Sequence, residues 1–298
     1  MSRERGILHK LEEGDTEKRR SYFLSRGIRL RLEDIGGFAA SLNRIFVESK
    51  EPARWIGGLV NHDIRRLLEL TKDVISSPHL KLDDLLKAHV AGHADTVPVY
   101  RIKNAIIKKR YDIYPVGEHS FVQNIFALDT SQPTTPLLGV RILQYLNDVL
   151  HGLSERQHEF AAIDSLYYYF TALGIHHTIT SAWLAKLLET GLVLNYDPSV
   201  KELSGSSLVE ISPSGETHLS WATFDINYLQ SMKDVTPLRD KYTCDFIINA
   251  YTDYRNKWQD ALRAFIAYLI QEDAFYCQIP DHASFAGQLD INKRLSNI

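Results

Sequence analysis

Residues 163–196, IDSLYYYFTALGIHHTITSAWLAKLLETGLVLNY, hold two helix-like runs parted by a glycine and then turn into a strand-like run. Gly174 supplies the turn between IDSLYYYFTALG and HHTITSAWLAKLLETG, where Thr178 or Thr180 is placed to cap the second helix and Gly191 to end it. LVLNY (192–196) and SLVEIS (207–212), separated by DPSVKELSGS, read as a two-stranded ribbon. Just upstream, PLLGVRILQYLNDVL (136–150) has the apolar spacing of another helix. Three helices, a glycine turn before the third and a terminal ribbon spell a winged helix-turn-helix over residues 136–221.

The flanks are helical too. After ISPSGETHLSW (211–221), FDINYLQSM (224–232), the long run 240–276 and a polar end read as two or three closing helices, giving a C-terminal helical segment over 222–298. On the other side, SQPTTP (131–136) marks a boundary. Residues 91–135 read as an extended connector with one basic helix at about 100–110. Residues 1–90 read as a helical bundle: Leu42, Ile45, Phe46, Ile56, Leu59, Val60, Ile64, Leu67, Leu68, Val74 and Ile75 keep helical spacing until the stop at 76–78, and a short helix follows near 82–89. The expected fold is therefore mainly α, a helical lid-like bundle followed by a winged helix-turn-helix and closing helices.

Bulk composition narrows the setting. With 44% apolar and 24% charged residues in 298, the chain matches soluble globular proteins and can bury a real core. No run of about 18 apolar residues occurs, so no membrane span is expected. The start, MSRERGILHKLEEGDTEKRR, carries charge where a secretory signal needs an apolar stretch, which points to the cytoplasm. Two cysteines, Cys244 and Cys277, make neither a disulfide framework nor a zinc pattern. Charge is uneven: 22 Lys+Arg against 18 Asp+Glu over 1–135, 4 against 9 over 136–221, and 8 against 10 over 222–298, so the helix-turn-helix segment is the acidic one.

Three short motifs carry a family resemblance. NHDIRRLLEL at 61–70 places an Asn-His-Asp ahead of paired arginines, and HDIRRLL within it is similar to the lid helix of archaeal origin-recognition ATPases. SFVQNIFALD at 120–129, through Ser120, Val122, Asn124 and Phe126, resembles the run that joins lid to winged helix in bacterial STAND and AAA-type P-loop ATPases. ISPSGETHL matches the wing-to-helix exit. The likeness implies that Arg65 is the residue that reaches a nucleotide's terminal phosphate, with Arg66 beside it. The departure is the phosphate loop: no Gly-x-x-x-x-Gly-Lys-Ser/Thr stretch occurs, so nothing in the sequence cradles a triphosphate. The chain thus resembles the C-terminal half of such an ATPase, whether as one subunit of a split machine, a remnant or a fragment. The resemblance implies a protein partner, a P-loop ATPase first among them, and a mobile-element or defence setting.

Candidate contacts follow from charge. Arg65 and Arg66 suit phosphate recognition in trans, because a guanidinium fork stays charged and binds oxygens bidentately. The plainer account pairs them with Asp63, Glu69 or Asp73 on a solvated face. Arg19, Arg20, Arg29 and Arg31, with Lys103, Lys108, Lys109 and Arg110, form a basic footprint for nucleic acid or an acidic partner if they share a face. On the helix-turn-helix itself, Thr180 and Ser181 are placed to touch bases, yet Lys186 in the helix and Lys201 in the wing are its only cations there, and phosphate contacts supply most DNA affinity. Catalysis finds no support. His89 and His93 lack the glutamate of a metalloprotease helix, His176 and His177 sit in a turn, and Ser214 lacks the flanking glycine of a nucleophile elbow. No metal or cofactor is expected. The favoured function is a non-enzymatic interaction or adaptor subunit, with a DNA-binding regulator and a chain completing a nucleotide site in trans through Arg65 as alternatives.

Overall fold

Helical periodicity runs unbroken through residues 56–75, but the backbone interrupts it. A computed structural model describes residues 49–81, 97–126, 132–151, 160–197, 204–278 and 286–298, with isolated positions at 39, 42, 43 and 199. Helices α1 (Lys50–Leu59) and α2 (Ile64–Ser76) are parted by a turn in which Asn61 and His62 take φ of +51° and +58°. Two consecutive left-handed residues cannot continue a right-handed helix, and asparagine is among the few residues that tolerate that conformation. Asp63 restarts the chain as helix by accepting the Arg66 N–H at 2.9 Å, a bond that holds its carboxyl below the usual range. The stop at 76–78 is where the sequence puts it. The connector helix is α3 (Val99–Lys108). The short helix expected near 82–89 lies outside the described residues.

The middle of the chain runs α4 (Leu138–Leu150), β1 (Ala161–Ala162), α5 (Ile163–Ala172), α6 (His177–Glu189), β2 (Val193–Asn195) and β3 (Leu208–Ile211). The strands form an antiparallel sheet in the order β1-β3-β2, with Val209 opposite both Ala161 and Asn195, and Val193 opposite Ile211. This register turns Val193, Val209 and Ile211 into the core and leaves Leu194 and Leu208 partly exposed, as the two-residue period of a strand requires. Two sequence expectations change here. The ribbon gains a third strand, β1, and the α6 cap is His176, whose Nδ1 accepts the Thr178 N–H; Thr180 is buried inside the helix.

Four more helices close the chain: α7 (Pro213–Phe224), α8 (Ile226–Lys233), α9 (Lys241–Ala250) and α10 (Tyr254–Tyr276), followed by α11 (Ala286–Ser296), for eleven helices among the described residues. Each of α7, α8 and α9 starts on a side-chain cap: Ser212, Asp225 and Asp240 respectively. The long run expected over 240–276 breaks at a 3-10 turn, Tyr251–Asp253. The polar end is also helical, because Ile291 and Leu295 bury one edge of it. A contiguous buried cluster reaches from Trp55 in α1 to Leu295 in α11. Gly139 lets α4 approach α6, since a methyl there would lie 2.7 Å from the Trp183 ring and 2.9 Å from the Ile125 carbonyl.

At the centre of this core lies a charged group. Arg141 on α4 is fully buried, and its guanidinium grips the equally buried Asp273 of α10 through Nε at 2.9 Å and through Nη2. Thr135 donates to the same carboxylate at 2.7 Å and Asn292 of α11 donates at 3.1 Å. Burial alone would lower the guanidinium's pKa, but the bonds and charge of Asp273 carry it above its ordinary value. Asp273→Ala is expected to cost about 3–5 kcal/mol in urea unfolding, because it strands a buried cation. The Arg141→Met/Asp273→Leu pair is expected to restore most of that loss, since shape-matched apolar groups replace such pairs at little cost.

Candidate functional site

The Asn-His-Asp turn is a joint. Asn61 donates through Nδ2 to the Gly191 carbonyl at 2.8 Å and accepts the Ser214 N–H on Oδ1 at 2.8 Å, so one side chain bolts the α1–α2 turn to the end of α6 and the start of α7. Ser212 donates to that same Gly191 carbonyl at 2.7 Å and caps α7 through Gly215. Ser214 is a buried first-turn residue of α7. Arg66 turns inward: its Nη2 donates to the Ser120 carbonyl at 3.1 Å and its guanidinium lies 5.4 Å above the Phe121 ring. The arginine motif at 62–68 and the SFVQNIF run thus meet. Arg65 stands exposed on α2.

SFVQNIF lies in none of the helices or strands, so side chains must satisfy its backbone. His119 accepts the Phe121 and Val122 N–H groups on Nδ1, at 3.2 and 2.9 Å, and donates from Nε2 to the Ile106 carbonyl at 2.8 Å. His218 accepts the Gln123 N–H on Nε2 at 2.8 Å and donates from Nδ1 to the Ser214 carbonyl at 2.6 Å. Tyr114 donates to the Val122 carbonyl and Tyr228 to that of Gln123, at 2.8 and 2.5 Å. Asn124 reaches Thr236 at 3.0 Å. Burial drives both imidazoles down, His119 to about 3 and His218 to about 4, while the Ile106 and Ser214 carbonyls pull weakly the other way. Both are neutral acceptors. Sequence reading passed over both histidines, since no local motif marks a partner 95 residues away.

The predicted basic helix is largely spent internally. Lys103 pairs with Asp225 and sits 4.4 Å over the Trp55 ring. Lys109 reaches Asp73 at 3.1 Å, Arg110 bonds the Tyr111 hydroxyl at 2.9 Å, and Lys108 is half-buried. On α6, Thr180 is buried with no partner for its hydroxyl among the described residues, Ser181 is half-buried, and Lys186 lies exposed with its ammonium 4.8 Å over the Trp183 ring. Arg19, Arg20, Arg29, Arg31, Lys201, His89 and His93 lie outside the described residues. His176 and His177 stack on each other at 4.4 Å. Among the described residues no cluster of His, Cys, Asp and Glu could hold a metal, and no helix is long and apolar enough to cross a membrane. Burial lifts the Cys277 thiol to about 11, against the pull of Arg141.

A concave surface lies elsewhere among the described residues, between α1 and α7. Trp55 and Trp221 meet edge-on at 6.1 Å, and beside them open two adjoining hollows of about 280 and 180 Å³. Arg54, Trp55, Ser220 and Trp221 line both. No protein-family model, curated protein or solved structure matches the chain. What the surface can do must therefore be read from its own chemistry.

The buried histidines set an acid limit. Folded, both take a proton far below the 6.5 of a free imidazole, so the unfolded chain binds protons first and stability, complete above about pH 6.5, drains as pH falls toward 4. Each contributes a slope of about 1.4 kcal/mol per pH unit in that window. Urea titrations at pH 6.5 and pH 5 are expected to differ by about 3–4 kcal/mol, and a His119→Gln/His218→Gln variant is expected to lose most of that dependence.

Proposed function

We propose that the chain is a non-enzymatic interaction or adaptor subunit, built like the lid and winged-helix half of a P-loop ATPase, in which residues 138–211 form a winged helix-turn-helix used for protein contact. The element order α4-β1-α5-α6-β2-β3 with sheet order β1-β3-β2 supports the winged reading. The observation that carries the adaptor reading is the fate of the cations: Lys103, Lys109 and Arg110 are engaged within the chain, and α6 presents Lys186 alongside the carboxylate of Glu189. DNA affinity needs cations free to displace counterions from phosphates. Exposed apolar groups suit protein contact better, with Ile64 and Leu68 at 75% and 65% exposure one turn apart on α2. A P-loop ATPase is the partner the motifs suggest.

Arg65 keeps a second reading alive, because it is exposed on α2 while its neighbour Arg66 is engaged. In that reading Arg65 completes a nucleotide site on a partner.

Anisotropy with duplex DNA between about 50 and 200 mM salt separates these functions. Affinity no tighter than about 10⁻⁶ M throughout is expected; tight binding that falls steeply with salt and is lost in Lys186→Ala establishes the DNA-binding regulator instead. A co-purifying P-loop protein whose ATPase activity rises on adding this chain, and whose gain Arg65→Ala abolishes, establishes the trans-site reading. A stable complex disrupted by Ile64→Asp/Leu68→Asp, with no such gain, is the adaptor's signature.

A further inference from the structure

The three-stranded sheet departs from the pattern of a sheet that meets water on one face. Such a sheet alternates apolar and polar residues along each strand. Val193, Val209 and Ile211 point into the core, so the register turns Ala162, Leu194, Tyr196, Leu208 and Glu210 to the opposite face. Glu210 alone among these five is charged. Leu208 sits at the centre, paired with Ala162 on one flank, while on the other the Tyr196 N–H donates to its carbonyl at 2.9 Å. Phe160, just ahead of β1, meets Tyr196, just past β2, edge-on at 4.7 Å, so the patch spans the width of the sheet. Tyr196 is still 61% exposed, and Leu194 and Leu208 are 36% and 37% exposed. Apolar residues on both faces are the mark of a sheet covered on both faces, and this chain covers only one.

The charge around the patch is mainly of one sign. Residues 192–211 carry Asp197, Glu202 and Glu210 against Lys201 alone. Asp197 is exposed, and bonds from the Ser199 hydroxyl and N–H hold its carboxyl below the usual range. Asp164, also exposed, is fixed beside the turn between β2 and β3: its N–H donates to the Gly205 carbonyl at 2.8 Å, and a methyl on Gly205 would overlap its carboxylate. This rim selects the occupant. A phosphate backbone or an anionic membrane is repelled, and a second copy would bring the same carboxylates against these. Lysines and arginines on a partner protein are attracted.

We infer that the outer face of this sheet docks a partner protein through a basic surface with an apolar centre. The partner's apolar side chains cover Leu194, Tyr196 and Leu208, and its cations meet Asp164 and Asp197. The inference rests on the adaptor reading and gives the partner's chemistry.

The test uses the full chain and two fluorophore-labelled acetylated pentapeptides, Lys-Phe-Lys-Leu-Lys and its acidic counterpart Glu-Phe-Glu-Leu-Glu. The basic peptide is expected to bind and the acidic one not to, with affinity falling as salt rises. Tyr196→Thr/Leu208→Thr, which keeps strand-favouring residues at two exposed positions, is expected to weaken the basic peptide at least about tenfold. Asp164→Asn/Asp197→Asn, which keeps an acceptor at each position, is expected to weaken it separately and to flatten the salt dependence. Equal affinity for the two peptides, indifference to Tyr196→Thr/Leu208→Thr, or no binding up to about 1 mM overturns the assignment. A dimer in sedimentation equilibrium that Tyr196→Thr/Leu208→Thr dissociates overturns it too, because the face then belongs to a second copy. Those results leave the adaptor reading standing on the α2 variant, and tight DNA binding would fell that reading without moving the peptide result.

Discussion

A guanidinium in the middle of a hydrophobic core imposes the strictest demand in this molecule. Arg141 cannot be left unpaired there, and its planar fork needs a carboxylate presenting both oxygens. Asp273 answers only if α10 crosses α4 at one height and one rotation, and the hydroxyl of Thr135 and the amide of Asn292 fill the carboxylate's remaining lone pairs. Partners as many as 138 residues from Asp273 in sequence thus converge on its two oxygens. Such pairs often contribute little net stability, because desolvation offsets attraction. Their effect is on specificity: a slipped α10 strands a charge, where slipped apolar packing would lose only contacts. Once α4 is fixed, Gly139 brings the Trp183 ring of α6 against it.

A second constraint holds α1, α2 and α3 to this frame. The SFVQNIF strap has no strand beside it, and buried N–H and C=O groups without partners cost about 1–3 kcal/mol each. Imidazoles and phenols supply the partners, and an imidazole accepts only while neutral. Burial keeps His119 and His218 neutral, and so leaves both rings able to accept from the strap. Asn61 works alike, taking a donor from one element and an acceptor from another, which is why a left-handed residue with an amide side chain occupies the turn.

The sequence made the helices at 138–150, 163–172 and 177–189 legible, because apolar residues recur along each of them, although the first two turns of 138–150 are buried on every side. What escaped was set by distance or by brevity. A two-residue strand, Ala161–Ala162, is too short to show a period, and its place comes from pairing with Val209 and Leu208. Periodicity is blind to the break at Asn61 and His62, because both flanks keep the same spacing. His176 took the cap by its ring nitrogen, a role that propensity assigns to Ser, Thr, Asp or Asn. At the site, the cations near 101–110 were plain in the sequence, but their counter-charges were not: Asp225 is 122 residues from Lys103. Trp55 and Trp221 likewise read as unrelated aromatics until α1 and α7 lie side by side.

The pairing of Lys103 also bears on what the surface is for. Asp225 accepts the Tyr228 N–H that starts α8 while it binds the Lys103 ammonium, so its charge is held in place by the fold and cannot swing aside for a phosphate. A nucleic-acid contact through Lys103 would have to outbid that carboxylate and the Trp55 face together. Lys109 meets a similar obstacle in Asp73 and the Phe121 ring. With these cations withdrawn, α1 offers only Lys50 and Arg54, with Glu51 between them. A long polyanion gains by neutralising many phosphates at once, and two charges give it little.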